Sequence, residues 1–552
     1  MRHIQVTDID FGDIDARSEI LARDPERRKL FLDSFYVPST VSLHKLVAGD
    51  RYLLVGPKGS GKTAFLRYLQ NHLAETTEGA SRFIVFRDDV TEQDRDKLVS
   101  LSQVRIYENG STKDEDDKDM VDCSTAWQLF IHREIAHTIT KNPDLCGLTP
   151  EIGGYLKLVN QFFAGFKTHA FKRLIQRITK GKIRIAALGQ GIEAEAEFVD
   201  KHGNVDVSEF VRYCNGAITA LHFNSLNKNA RINIFFDEVN ITYVSGVGFR
   251  RDSILVRDLV AACGIMNSLF AEHQIPIYIY TAIRSEVVDS VEGSVRELQK
   301  WVDDKAIHIN WIVPNLSHGL QPLIGLLRQR IYANAQRLSS RKLELKDIDL
   351  SEYFSDPVFN LKYDAFLIYE TWGRPRDLVR LLSLAVPHVG RDGRFSSASF
   401  DASFANYSRS CWEEKQDELS AKYSQSEIQA IKRFLTKFRA NFSRHEVDAR
   451  ISYQSSNDSR SNHFFSGRNV DVLLEDLFRV GVLGNAQATK AGSIRPVYSY
   501  TGYTNFNGND QMCVHRSLWR ELVIGTGQSP GELAAKLRQT NNRGTHGAMR
   551  PK

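Results

Sequence analysis

The sequence has no paired-cysteine motif. Its six cysteines, Cys123, Cys146, Cys214, Cys263, Cys411 and Cys513, are scattered and form no C-x-x-C. That excludes a zinc knuckle or a disulfide framework and fits a reducing, cytoplasmic compartment. No apolar run approaches the ~20 residues of a membrane span, and Met1–Asp8 has no apolar signal core, so no membrane role is expected. Charge of one sign is also lacking. The net +5 over 552 residues gives nucleic-acid binding no support from the total, only from local patches. No nuclease, protease or TIR-like signature is present, nor a guanine-reading Asn-Lys-x-Asp at a suitable strand end. What remains is 42% hydrophobic and 25% charged residues, the composition of a globular chain long enough for two or three domains.

One stretch organises the rest. Gly56-Pro57-Lys58-Gly59-Ser60-Gly61-Lys62-Thr63 follows the apolar run Tyr52–Val55 and opens a helical pattern at Ala64. Strand, glycine loop and helix are the context in which G-x-x-x-x-G-K-[ST] binds phosphate. Glycines let consecutive N–H groups turn inward, and the helix N-terminus adds positive potential. Residues Gly56–Ala64 are the expected phosphate cradle. Lys62 would reach the β- and γ-phosphates, and the Thr63 hydroxyl would ligate Mg²⁺. An ordinary glycine-rich turn is the plain alternative.

Further core strands are expected at 81–87, Ile232–Phe236, Ile275–Tyr280 and Ala306–Trp311. The strand Ile232–Phe236 runs into Asp237-Glu238. Behind a glycine loop this pair reads as a metal carboxylate, Asp237, and a water-activating base, Glu238. Thr281 and Arg284, after Ile275–Tyr280, stand where either senses the terminal phosphate; for Arg284 a surface pair with Glu286 weighs equally. Gly373-Arg374-Pro375-Arg376-Asp377 opens a helix and aims Arg376 at the phosphates. Its alternative is a plain helix start with Pro375 and Asp377 in the first turn.

In this order the motifs resemble P-loop ATPases of the ASCE division, nearest the AAA+ and STAND branches. More narrowly, they are similar to bacterial P-loop ATPases, some associated with antiphage defence. The matching residues are Gly56–Thr63, Asp237-Glu238, Ile283-Arg284-Ser285, Asp304-Lys305, Asn310-Trp311 and Gly373–Asp377. Val239-Asn240 departs from the further acidic character expected there. The resemblance spans about residues 10–395. It implies an α/β fold with a five-stranded parallel core, a helical lid, ATP with Mg²⁺, Asp237 and Glu238 as the acidic pair, and Arg376 as the second sensor. Arg250 and Arg251 are intersubunit-finger candidates by position only, and an oligomer is expected in the ATP-bound state.

The expected organisation is a lead-in over 1–50, a core over 51–315, a lid over 316–400, a winged-helix-like domain over 415–525 and a disordered tail over 526–552. The core would carry an insertion at about 145–225, including a hairpin around Gly189-Gln190-Gly191. The acidic run Lys113–Asp119 reads as a solvated loop. The basic segment Phe166–Arg184 reads as a nucleic-acid surface or, equally, as the wet face of an amphipathic helix. In the C-terminal domain, helices are expected over Ser424–Phe438, Ser443–Ile451 and Arg468–Val480. Pro496–Tyr500 and Gln511–His515 would then pair as a β-wing. Lys432, Arg433, Lys437, Arg439 and Arg444 favour DNA, but Asp471, Glu475 and Asp476 on the third helix would face phosphate repulsion. A protein partner or separately encoded effector is therefore expected ahead of DNA. The activity expected is that of an ATP-hydrolysing switch; a DNA-binding initiator or loader and a non-hydrolysing scaffold are the alternatives.

Overall fold

The computed structural model describes residues 4–91, 94, 95, 98, 123–147, 149–164, 183–187, 192–196, 207–219, 221, 230–239, 246–285, 287, 288, 296–339, 342–420, 422–488, 494–501 and 505–524, some by backbone alone. The acidic run, nearly all of the basic segment 166–184, the tail, Asn240 and Glu286 lie outside the described residues. The chain divides into two compact units, one of residues 40–58 and 62–309, the other of residues 1–39, 59–61 and 310–552.

The first unit is an α/β layer. Its strands are β1 (Leu53–Gly56), β2 (Gly79–Val85), the pair β3 (Ile183–Ala187) and β4 (Ile192–Ala196), β5 (Arg231–Val239), β6 (Ile277–Arg284) and β7 (Ala306–His308). β3 and β4 form a separate antiparallel hairpin. The other five make one parallel sheet in the order β2-β5-β6-β1-β7. Strands covered on both faces need apolar residues at every position, and β1 is buried throughout. Across the sheet, Phe83, Phe235 and Tyr280 stack at 5.7 and 5.1 Å between centroids, cross-strand aromatic pairing that helps fix the register. The helix Gly246–Glu272 is long and apolar enough over Asp252–Glu272 to cross a bilayer by length and composition. It is a core helix here: Leu255, Leu259, Cys263 and Met266 are buried, and its buried Asp252 and Asp258 meet Arg95 and Arg257.

The second unit is mostly helical. Arg330, on the helix Pro322–Leu338, is buried and ties the N-terminal segment to it through the Asp10 carbonyl (2.8 Å), Ser34 Oγ (2.7 Å) and Glu19 (2.7 Å). Helices Tyr363–Glu370, Pro375–Ala385 and Ser397–Leu419 follow.

Then come Gln425–Leu435, β8 (Asn441–Phe442), Arg444–Asn457, Ser459–Phe465, Val470–Arg479, β9 (Leu483–Ala488), β10 (Ile494–Val497) and β11 (Met512–Val514). The antiparallel order is β10-β9-β11-β8, which with its helices is a winged-helix arrangement. One expectation is corrected. The segments at 496–500 and 511–515 do not pair with each other; both pair with β9, which lies between them.

Candidate nucleotide site

β1 is four residues long and feeds the helix Lys62–Thr76 through the glycine loop. Gly59 (φ +81°) and Gly61 (φ +87°) adopt the left-handed backbone, which glycine takes without steric cost and which turns amides toward one point. Lys62 Nζ donates to the carbonyls of Gly56 (2.7 Å) and Pro57 (2.9 Å), so the ammonium lies over the loop. Ser60 is buried, and its hydroxyl has no hydrogen-bond partner among the described residues. An orphaned buried hydroxyl in a glycine loop fits a phosphate oxygen as its missing partner.

The acidic strand end meets this loop's helix. Asp237 is almost wholly buried, and the Thr63 hydroxyl lies near enough to favour its ionised form. Burial pushes its carboxyl pKa up, while the Glu238 N–H, the Thr63 hydroxyl and the charges of Lys62 and Arg67 pull it back. A carboxylate left in so dry a place, with a hydroxyl and cations near, suits a cation. Among the described residues no group of three His, Cys, Asp or Glu gathers as a metal cage. Thr63 and Asp237 are the residues that would hold Mg²⁺ at this strand end, an ion that usually needs only one or two protein ligands. Glu238, next in line, has φ +51°, and the β5–β6 register shifts between Phe236 and Val239. A bulge with a left-handed non-glycine residue re-aims a side chain at a local cost of order 1–3 kcal/mol.

The register separates the two sensor candidates. Thr281 pairs with Leu53 and with Phe236, inside the sheet. It is fully buried, with its hydroxyl 3.2 Å from Cys263 Sγ. Arg284 pairs with Gly56, where the loop begins. Thr281 is thus three residues short of the edge that carries the loop, and its hydroxyl is engaged elsewhere. Of the intersubunit-finger candidates Arg250 and Arg251, the side chains lie outside the description.

In the other unit, Trp311 Nε1 donates to the Ser60 carbonyl at 2.8 Å. The Arg376 N–H donates to the Gly59 carbonyl at 3.4 Å, and a β-carbon on Gly59 would lie 3.3 Å from Arg376 Cβ and 3.7 Å from Arg374 Cδ. The Gly-Arg-Pro-Arg segment is therefore laid against Gly59, within its own unit. Its side chains are held by one helix, Ser397–Leu419: Arg374 by Glu418 (2.7 Å), and Arg376 by Glu414 (3.5 Å). No motif marks these two glutamates in the sequence. Their i, i+4 spacing on a helix is the signal that was there.

A glycine loop after the first strand, with one strand between it and the acidic strand in a parallel sheet, defines the architecture. The chain has a P-loop ATPase fold. No protein-family model matches it. A probable ATP-binding cassette sub-family F member 3 homolog from Encephalitozoon cuniculi is 30% identical over 114 residues, a match spanning 20% of each chain. Among solved structures, the ORC2 protein of Aeropyrum pernix, determined as ADPNP–ADP complexes, aligns over 94% of this chain and 98% of its own, with a TM-score of 0.37 and 9% identity. A Walker-type ATPase of Pyrococcus abyssi aligns over 90% and 99%, with a TM-score of 0.31 and 11% identity.

Proposed function

We propose that this chain is an ATP-hydrolysing molecular switch that passes its nucleotide state to a protein partner. The observation that carries the reading is the approach of the Thr63 hydroxyl, on the loop's helix, to the buried Asp237 at the acidic strand end. Lys62 offsets charge on the β- and γ-phosphates. Thr63 and Asp237 would hold Mg²⁺, which would supply positive charge to the phosphate oxygens. Glu238, in its bulge, accepts a proton from the attacking water. Arg284 at the sheet edge and Arg376 against the loop stabilise the charge that develops on the transferring phosphoryl group.

Loop and winged helix are linked through a few residues of one unit. Arg376 touches Gly59, while Trp372 donates its Nε1–H to the Gly481 carbonyl at 2.8 Å and stacks on His515 at 3.9 Å. A shift of the Gly-Arg-Pro-Arg segment on phosphate loss is thereby carried to the winged helix.

A protein partner is favoured over DNA because four of the five cations named for DNA are paired with carboxylates. Lys432 pairs with Glu521 (2.6 Å), Arg433 with Asp458 (3.4 Å), Arg439 with Glu446 (2.6 Å), and Arg444 with both Asp448 and Asp471. Cations committed to carboxylates release few counterions on DNA. The prokaryotic defence setting, with the effector in another cytoplasmic polypeptide, rests on the sequence resemblance alone. The test is phosphate release from ATP by the purified chain, with duplex-DNA binding titrated against salt. Turnover with weak, sequence-independent DNA binding is expected. Absence of turnover would refute the switch, and a salt slope of several units with high affinity would favour the initiator-or-loader alternative.

A further inference from the structure

The two arginines of the Gly-Arg-Pro-Arg segment are gripped differently. Arg374 and Glu418 are both nearly buried at 2.7 Å, and Lys415 Nζ adds a second cation at 3.1 Å. Pulling Arg374 away would break a dry, three-membered network, which is costly. Arg376 is held loosely. Its guanidinium lies 3.5 Å from Glu414 Oε1, is about a quarter exposed, and gives its Nε–H to the Ile14 carbonyl at 3.2 Å.

The same Glu414 oxygen has a closer partner, Arg380 Nη2, at 2.6 Å. Arg380 in turn is anchored to the buried Asp377 at 3.3 Å. If Arg376 leaves, Glu414 remains neutralised by Arg380, so no buried charge is stranded. The backbone of Arg376 meanwhile stays at the Gly59 carbonyl. A side chain so placed can swing while its anchor holds.

We propose that Glu414 is a positioning residue that competes with the terminal phosphate of the bound nucleotide for Arg376, and so sets how strongly the site discriminates a nucleoside triphosphate from a diphosphate. This rests on the proposed role of Arg376 at the nucleotide. A terminal phosphate offers the guanidinium a bidentate, doubly charged partner, which outcompetes a single carboxylate oxygen at 3.5 Å. A diphosphate lacks that group, so Arg376 stays on Glu414.

The test is calorimetric binding of ADP and of a non-hydrolysable ATP analogue, each with Mg²⁺, to the full chain as wild type, Glu414→Gln, Arg376→Ala and the double variant. Glu414→Gln is expected to raise the ratio of the ADP Kd to the analogue Kd by roughly two- to fivefold, the range of a partly exposed ion pair, with the ADP Kd unchanged. In the Arg376→Ala background the same substitution is expected to leave the ratio fixed. Glu414→Asp, which keeps the charge but draws it back from Arg376, is expected to shift the ratio in the same direction and serves if the glutamine variant folds poorly. A purely structural role for Glu414 would move both affinities together. A wild type that binds both nucleotides while Glu414→Gln and Glu414→Asp leave the ratio unchanged overturns this proposal alone, as does a shift that persists without Arg376. A wild type that binds neither nucleotide overturns the ATPase reading and this proposal with it.

Discussion

Replacing Trp372 with alanine should loosen the winged helix from the rest of its unit. The indole is 2% exposed. One face lies on the His515 ring at 3.9 Å with an interplanar angle of 10°, and the Lys415 ammonium sits 4.6 Å from the ring centroid. Its N–H satisfies the Gly481 carbonyl, and Gly481 packs so tightly that a β-carbon there would come within 2.9 Å of the indole. Truncating a buried tryptophan costs about 3–5 kcal/mol in transfer and cavity terms. Trp372 has φ +43°, but alanine inherits the same left-handed backbone, so no strain is relieved. At roughly 2 °C per kcal/mol for a unit of this size, the melting transition should fall by about 6–10 °C in calorimetry. Limited proteolysis should also begin at the junction. Trp372→Phe keeps the stack and loses the N–H, so it should cost about 1–2 kcal/mol. If Trp372→Ala melts within about 2 °C of wild type and resists protease equally, the junction is not held as described and the proposed coupling fails with it.

Three further outcomes follow from local geometry and charge. Gly59→Ala places a β-carbon at φ +81° and 3.3 Å from Arg376 Cβ; nucleotide affinity, read by titration of a fluorescent ATP analogue, should fall by roughly tenfold or more. Gly153 and Gly216 sit on exposed positions of the helices Pro150–Ala164 and Val207–Ile218 with open space around them, so each change to alanine should stabilise by about 0.5–1 kcal/mol in urea unfolding. His132 is fully buried between Tyr155 OH (3.0 Å) and Asn215 (2.8 Å). Burial lowers its pKa to about 4, partly opposed by Asn215. The unfolded chain therefore binds the proton first, and this group's contribution is present above pH ~6.5 and lost as pH falls towards 4, about 3 kcal/mol in all. Urea midpoints of wild type and His132→Asn should diverge at pH 7.5 and converge by pH 4; a constant difference would contradict this assignment.

The parts legible in the sequence are those where local pattern and tertiary demand agree. The glycine loop needs left-handed backbone, and glycine is there. β1 and β5 are covered on both faces, so their apolar runs are continuous. β9 is not legible in the sequence because Gly484-Asn485-Ala486-Gln487 has neither an apolar run nor a strong β preference; its place comes from neighbours on both sides. The pairing of Leu53 with Thr281 and of Gly56 with Arg284 is a register, which a single strand's residues do not encode. Thr281 and Arg284 therefore looked equivalent until the sheet was in view. The helix Ser397–Leu419 straddles the gap left between the expected lid and winged helix. Its weak amphipathic signal reflects partners on several sides, since it carries buried Phe400 and Trp412 together with the buried charges Lys415 and Glu418.

The most direct test of the central claim, that Asp237 and Glu238 work with the glycine loop on a bound triphosphate, is to measure ATP binding and phosphate release together for wild type and Glu238→Gln. The account predicts affinity within about twofold and a rate of release lower by roughly 100-fold or more, the usual contribution of a positioned base. Release at the wild-type rate from Glu238→Gln would contradict it.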